Sequence, residues 1–256
     1  MTPSQLAFGR LADIVAELRE KCPWDRVQTK ESIRPLTIEE AHELSEAVLK
    51  GDYAEIRAEL GDLLLHVLFY AQLAQEEQKF TLEEVINGLI AKLIRRHPHI
   101  YGETQADDAS QVRENWEEIK AKEKAAAGKV KSSVLDGVPE SLPSLIKAQR
   151  IQEKASAVGF DWSDIKEVWA KVEEELEEVK EAESPEHRAE EVGDLLFAVV
   201  NYCRFTGISA DESLERTNLK FKRRFEHIEM RAKEAGKSLK DMTLAEMDVY
   251  WNEAKG

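Results

Sequence analysis

The 256-residue sequence predicts an all-α fold made of two tandem helical bundles. Three observations carry that reading. Apolar residues recur at spacings of three and four over long stretches. Capping-box patterns, a Ser or Thr followed three residues later by Glu or Gln, stand ahead of several of these stretches. One set of chemical landmarks then occurs twice, in the same order, along the chain. No β-branched alternating run bounded by turn residues competes with the helical period.

In chain order, Thr2-Pro-Ser-Gln5 opens a helix expected over 3–20, and Thr37-Ile-Glu-Glu40 one expected over 37–50. Further helices are expected over 53–77, over 82–97 behind Thr81-Leu-Glu-Glu84, and over 110–126. The second half repeats the pattern over 143–157, 163–182, 185–206 and 210–235, with Thr243-Leu-Ala-Glu246 opening a last helix over 243–254. Most of the 12 Gly and 7 Pro fall between these stretches or at their first positions. Residues 127–142 break the period and collect Gly, Ser and Pro, so they read as a linker between modules 1–126 and 143–256.

Composition narrows the function. Lys and Arg number 36 against 51 Asp and Glu, a formal charge of −15. Such a surface repels nucleic-acid phosphates and anionic lipid, which excludes a DNA-binding or membrane-surface role. The apolar runs, such as Leu63–Leu68, which His66 breaks, are too short to span a bilayer. Cys22 and Cys203 cannot build a disulfide framework, and the first residues lack the basic and apolar regions of a signal peptide. A soluble, cytoplasmic protein is expected, and any anionic ligand needs cations to bridge it to the chain.

The repeat itself is acidic. Glu59-Leu-Gly-Asp62-Leu-Leu matches Glu191-Val-Gly-Asp194-Leu-Leu. Each follows a glutamate cluster, at 39–43 and 173–178, and each precedes a basic patch, Lys92–Arg96 and Lys220–Arg224. Each half ends in Trp-x-Glu-x-Lys, at Trp116–Lys120 and Trp251–Lys255. Positions three or four apart share a helix face, so Glu40 pairs with Glu43, Glu59 with Asp62, Glu175 with Glu178, and Glu191 with Asp194. The segments after Glu59 and Glu191 are apolar on most faces, which makes their helices central and turns the acidic pairs toward neighbouring helices. Two carboxylates about 4 Å apart repel by ~1 kcal/mol in water and ~4 kcal/mol at an effective dielectric near 20. Four converging carboxylates therefore take up protons or call for cations. Hard divalent ions fit that need, and Mg²⁺ characteristically combines a few carboxylates with substrate phosphates.

Plainer readings exist for each part. Glu40 can simply close a capping box with Thr37, and Glu173–Glu178 can be a solvated face paired with Lys171 and Lys180. The duplication, with both clusters at similar distances from Glu-x-x-Asp, weighs against them. A di-iron carboxylate bundle needs two Glu-x-x-His motifs, and only Glu39-x-x-His42 is present. A non-catalytic helical scaffold that binds nucleotide or protein is the remaining alternative.

The chain resembles the MazG nucleoside triphosphate pyrophosphohydrolases. The family pattern, Glu-Glu-x-x-Glu followed by Glu-x-x-Asp, reads Glu39-Glu40-x-x-Glu43 with Glu59-x-x-Asp62, and Glu174-Glu175-x-x-Glu178 with Glu191-x-x-Asp194. Cys22-Pro-Trp-Asp25, Arg95-Arg-His-Pro-His99 and Val158-Gly-Phe-Asp-Trp162 also look like segments of tandem-domain bacterial members. The resemblance implies Mg²⁺-dependent hydrolysis of NTPs and dNTPs at the α-phosphate, to NMP or dNMP and pyrophosphate, with broad base tolerance. By the same resemblance Glu175, Glu178, Glu191 and Asp194 hold metal in the principal, second-module site, and Glu174 orients or deprotonates water. Lys171, Lys220, Arg224, Trp251 and Lys120 meet the nucleotide. Glu40, Glu43, Glu59, Asp62, Lys92 and Arg96 form a possible second site, and the family's habit implies a homodimer.

Overall fold

A computed structural model describes residues 1–102, 108, 111–112, 115–116, 119, 123 and 133–255. Among them are ten α-helices and two short 3₁₀ turns, with no strand. The chain divides into two compact units, Met1–Val130 and Lys131–Gly256. Most of the helix expected over 110–126 and the first part of the expected linker lie outside the described residues.

In the first unit, α1 spans Pro3–Lys21 behind the expected reciprocal cap between Thr2 and Gln5. A 3₁₀ turn, Asp25–Val27, leads into α2, Lys30–Lys50. This helix starts seven residues before the expected position. Its cap is Thr29, whose hydroxyl accepts from the Ser32 amide while the Ser32 hydroxyl accepts from the Thr29 amide. Pro35, which precedes the expected start, sits inside the helix. So near the N-terminus it forfeits one backbone hydrogen bond, and tertiary packing outweighs that loss. Thr37 is consequently a mid-helix residue, its hydroxyl donating to the Ile33 carbonyl at 3.1 Å and meeting the Tyr70 hydroxyl at 3.0 Å. Glu40 is thereby released from any capping duty.

Gly51, at φ 70°, ends α2 in the left-handed conformation that a side chain would strain. Asp52 then caps α3, Tyr53–Glu76, by accepting from the amides of Ala54 and Glu55. Helix α4, Leu82–Arg96, carries the Thr81–Glu84 capping box, and the single turn α5, Pro98–Tyr101, follows it. Helices α2 and α3 pack together as a hairpin with α1 and α4 against α3. Their core is Val15, Ile33, Leu68, Phe69 and Leu73.

The second unit repeats the arrangement. It contains α6 (Ser144–Ser156), α7 (Ile165–Glu181), α8 (Pro185–Phe205), α9 (Ala210–Glu234) and α10 (Leu244–Glu253). Asp164, Ser184, Ser209 and Thr243 cap the last four. The α7–α8 hairpin is the most extensive helix pair, with α6 lying on α8 and α9, and α10 on α9. Val168 and Val200, each 1% exposed, anchor its interior.

The expectation that α3 and α8 are central holds on one face only. Leu60 and Val67 on α3, and Val192, Leu196, Phe197 and Val199 on α8, are exposed in the single chain. The apolar character that looked like burial within one chain thus includes a surface the chain does not cover.

Because Thr29 rather than Thr37 starts α2, Thr29→Ala removes the hydroxyl that accepts from the Ser32 amide and keeps the bond from the Thr29 amide to the Ser32 hydroxyl. Urea unfolding is expected to report a loss of about 1 kcal/mol, with an unchanged helical content in the folded baseline.

Candidate metal and nucleotide site

Each module takes its acidic residues from its helical hairpin, and packing forces them together. In the second, carboxylate oxygens of Glu174, Glu175 and Glu178 on α7 lie within 4.8 Å of one another, as do those of Glu175, Glu191 and Asp194 across α7 and α8. Glu175 is the shared corner and is 5% exposed, whereas Glu191 is half-buried and Asp194 exposed. The group is therefore a rim, rooted on a buried carboxylate and open to solvent.

Lys171, one turn before Glu175, places Nζ 2.7 Å from Glu174 and 2.5 Å from Glu175. Those hydrogen bonds hold its ammonium well above the ordinary lysine range. His187 sets Nε2 2.9 Å from Glu191 Oε1. Glu178 has no such relief. Burial first, then the charge and hydrogen bond of Glu175 and the charge of Glu191, push its carboxyl up, and Lys171 offsets this only in part.

The first module gathers Glu40, Glu59 and Asp62 within the same 4.8 Å. Glu59 is 8% exposed and its Oε2 has no hydrogen-bond partner, an orphaned buried anion of the kind a cation would satisfy. Glu40, Glu43 and Glu59 are all pushed up, in each case chiefly by burial and then by neighbouring carboxylates, although a hydrogen bond with Glu59 works the other way on Glu40. No Lys or Arg pairs with these three among the described residues.

The expected phosphate-binding groups divide. Arg96 is tied to Glu123 at 2.7 Å, beside Arg95 at 2.6 Å, and the two guanidiniums hold the Glu123 carboxyl down at about 2. Lys92 is exposed. In the second module Lys220 is exposed and Arg224 half-buried, and neither has an ion-pair partner among the described residues. The Arg224 guanidinium stands 5.4 Å from the Trp251 ring, which also meets Phe221 at 5.1 Å. Trp251 is therefore both an anchor for α10 and the platform that orients Arg224. These groups sit on α9 and α10, and no ion pair joins them to the carboxylates. Lys120 lies outside the described residues.

Beside the second cluster is a cavity of about 550 Å³. Phe160, Trp162 and Phe197 wall it, and Lys171, Glu175 and Asp194 also line it. Carboxylates, a cation and an apolar hollow of ligand size thus share one surface.

The MazG nucleotide pyrophosphohydrolase domain model matches the chain twice, over residues 28–101 and 164–229. The chain belongs to the MazG family. A Thermotoga maritima protein named nucleoside triphosphate pyrophosphohydrolase/pyrophosphatase MazG is 44% identical, over 100% of this chain and 98% of its own length. An Escherichia coli K12 nucleoside triphosphate pyrophosphohydrolase is 41% identical over 97% of each. The Bacillus subtilis protein YabN, 46% identical over 97% of this chain, is about twice as long, with 51% of it covered. Membership makes this MazG chain an enzyme of the hydrolase class, and its repeat is the family domain used twice.

Both matches enclose a carboxylate hairpin, Glu40–Asp62 and Glu175–Asp194. Reading the sequence did not single out His187, which meets Glu191, or Gln152, Asn201 and Arg204, which line the cavity, and it met Asp161 only within Val158–Trp162. One signal was available: Asn201 interrupts Phe197-Ala-Val-Val on the inner face of a core helix, where a polar residue calls for a reason.

A carboxyl whose folded pKa lies above its unfolded value binds its proton more tightly in the fold, so stability declines as pH rises through that interval. Metal-free Glu59→Gln is therefore expected to melt at a higher temperature than wild type at about pH 7, with the difference gone at about pH 4. A divalent salt is expected to raise the wild-type melting temperature more than that of the variant. Scanning calorimetry across pH checks both.

Proposed function

We propose that the chain is a Mg²⁺-dependent nucleoside triphosphate pyrophosphohydrolase that cleaves NTPs and dNTPs at the α-phosphate, releasing the monophosphate and pyrophosphate. The observation that carries this reading is the junction, in the second module, of the Glu175, Glu178, Glu191 and Asp194 group with the apolar cavity. A nucleotide has the same two halves, an aromatic base and a polyanion, and only the polyanion needs metal.

The donor set fits a hard divalent ion: all four groups are carboxylates, and the Glu178 carboxyl is pushed up by burial first and then by Glu175 and Glu191. Mg²⁺, when bound, supplies polarisation of phosphoryl oxygens and a water of lowered pKa. The chain's own residues do the rest. Glu175, Glu178, Glu191 and Asp194 hold the ion. Glu174, exposed beside Lys171, is placed to orient the attacking water and accept its proton. Lys171, Lys220 and Arg224 counter the triphosphate, which the net charge of −15 would otherwise repel. Phe160, Trp162 and Phe197 exclude water around the nucleoside.

The second module, 143–256, is the principal site. Aligning Glu59-x-x-Asp62 with Glu191-x-x-Asp194 sets Phe69 against Asn201 and His66 against Ala198. Phe69 and His66 are 3% and 7% exposed, so the first module fills with core the positions that border the cavity in the second. The first module, 1–126, keeps a carboxylate group that suits a second, metal-binding site. Apolar faces left bare on α3 and α8 suit a homodimer. Broad base tolerance, a role in cleaning nucleotide pools and a cytoplasmic setting, which the two free cysteines fit, complete the reading.

Chromatography of ATP incubated with enzyme and Mg²⁺ is expected to give AMP and pyrophosphate rather than ADP and phosphate. Glu178→Ala is expected to lower kcat by about a hundredfold or more, equivalent to about 2.7 kcal/mol of barrier, while Glu43→Ala leaves pyrophosphate release largely intact. Equal losses would overturn the assignment of the principal site, and binding without turnover would favour the scaffold. Sedimentation is expected at twice the 29.1 kDa chain mass.

A further inference from the structure

The cavity wall is apolar except for a small set of polar side chains, and these form a chain of contacts. Ser156 Oγ donates to Asp161 Oδ2 at 2.7 Å, and the Trp162 amide donates to Asp161 Oδ1 at 3.0 Å. Arg204 grips the same carboxylate with both terminal nitrogens, Nη1 to Oδ2 at 3.0 Å and Nη2 to Oδ1 at 2.5 Å. Its remaining donor, Nε, goes to Asn201 Oδ1 at 3.0 Å. A guanidinium has only donors, so the Asn201 atom facing it must be the carbonyl oxygen, and Nδ2 must point the other way.

Asn201 is 4% exposed and borders the cavity, and its Nδ2 has no hydrogen-bond partner among the described residues. Gln152, the other buried amide of the wall, donates from Nε2 to the Phe197 carbonyl at 2.8 Å, and its Oε1 is buried without a partner. Asn201 Nδ2 is thus an amide donor held in place by its own network, in the same wall as one unpartnered acceptor. Nδ2 is not fully enclosed, so it stays free to meet a ligand, and the network behind it prevents it from turning away.

We propose that Asn201 is the residue that reads the nucleobase, donating from Nδ2 to an acceptor on the base edge, with Arg204 and Asp161 as positioning residues. The assignment rests on the pyrophosphohydrolase reading of the same site. Every common nucleobase carries a carbonyl oxygen or an unprotonated ring nitrogen, so a single donor favours the presence of a base without choosing narrowly among bases. The first module has no counterpart: Phe69 and Gln72 stand at the positions of Asn201 and Arg204. Recognition of the base is thus confined to one copy.

The test compares kcat/KM for ATP with that for ribose 5-triphosphate, which has the polyanion and sugar but no base. Asn201→Leu removes the donor at similar volume, and Asn201→Ala removes it while enlarging the hollow. Both are expected to reduce the preference for ATP about tenfold, the scale of one hydrogen bond made in a desolvated site, mainly through KM. Arg204→Met is expected to reduce the same ratio by freeing the amide to rotate. An unchanged ratio in the Leu and Ala variants overturns the proposal. So does a parallel fall for both substrates, which marks a structural role, or a loss confined to Leu, which marks steric obstruction. Wild-type enzyme inactive on every triphosphate would instead overturn the pyrophosphohydrolase reading.

Discussion

Repulsion among carboxylates held on a helical hairpin is the constraint that organises this molecule. The α7–α8 hairpin brings Glu175 of one helix to Glu191 and Asp194 of the other, and the α2–α3 hairpin does the same with Glu40, Glu59 and Asp62. The helices cannot pack as they do without collecting these charges. The fold accordingly raises the carboxyls of Glu40, Glu43, Glu59 and Glu178, by burial first and then by the neighbouring carboxylates. Such strain persists when function requires it and the surrounding packing outweighs it. A divalent ion converts the same arrangement from a liability into an attraction.

The two copies resolve that constraint differently. In the second, Lys171 lies across Glu174 and Glu175 and supplies one internal positive charge. In the first, no such cation reaches Glu40, Glu43 or Glu59 among the described residues, and Glu59 keeps an unpartnered oxygen. Packing diverges in parallel. The first copy closes over Val15, Ile33, Leu68, Phe69 and Leu73 as an ordinary core. The second leaves a hollow of about 550 Å³ where bulkier side chains would have added buried apolar surface. One copy has the features of a stabilising body and the other those of a binding one, although a single helical blueprint underlies both.

Much of this was legible in the sequence, and the failures have physical causes. Capping boxes at Thr2, Thr81 and Thr243 located three helices because they act over four residues, without reference to the rest of the fold. The box at Thr37 misled because the same four-residue pattern fits a mid-helix site, when the Thr29–Ser32 cap and the burial of Ile33 start the helix earlier and carry it through Pro35. The carboxylate groups could be anticipated because helical spacing places them before tertiary structure is known. Arg96 could not be followed to Glu123, or Arg204 to Asp161, because those pairs span 27 and 43 residues. Hollows are equally silent in a sequence, since a cavity is defined by side chains that are missing.

An enzyme this acidic can handle a polyanion only if positive charge is concentrated where the substrate arrives. Lys171 illustrates the problem, because its ammonium is already engaged by the carboxylates it neutralises. Under the proposed reading, a divalent ion would bring two charges to the place where Lys171 brings one and would weaken the hold of Glu174 and Glu175 on the lysine. Metal and lysine would then compete for the same carboxylates, and the phosphates would give the lysine its alternative partner. Lys220 and Arg224 on α9, without an ion-pair partner among the described residues, would complete a field that is positive only locally. Affinity for the triphosphate would then depend on the metal, which would keep the bare acidic surface from retaining polyanions on its own.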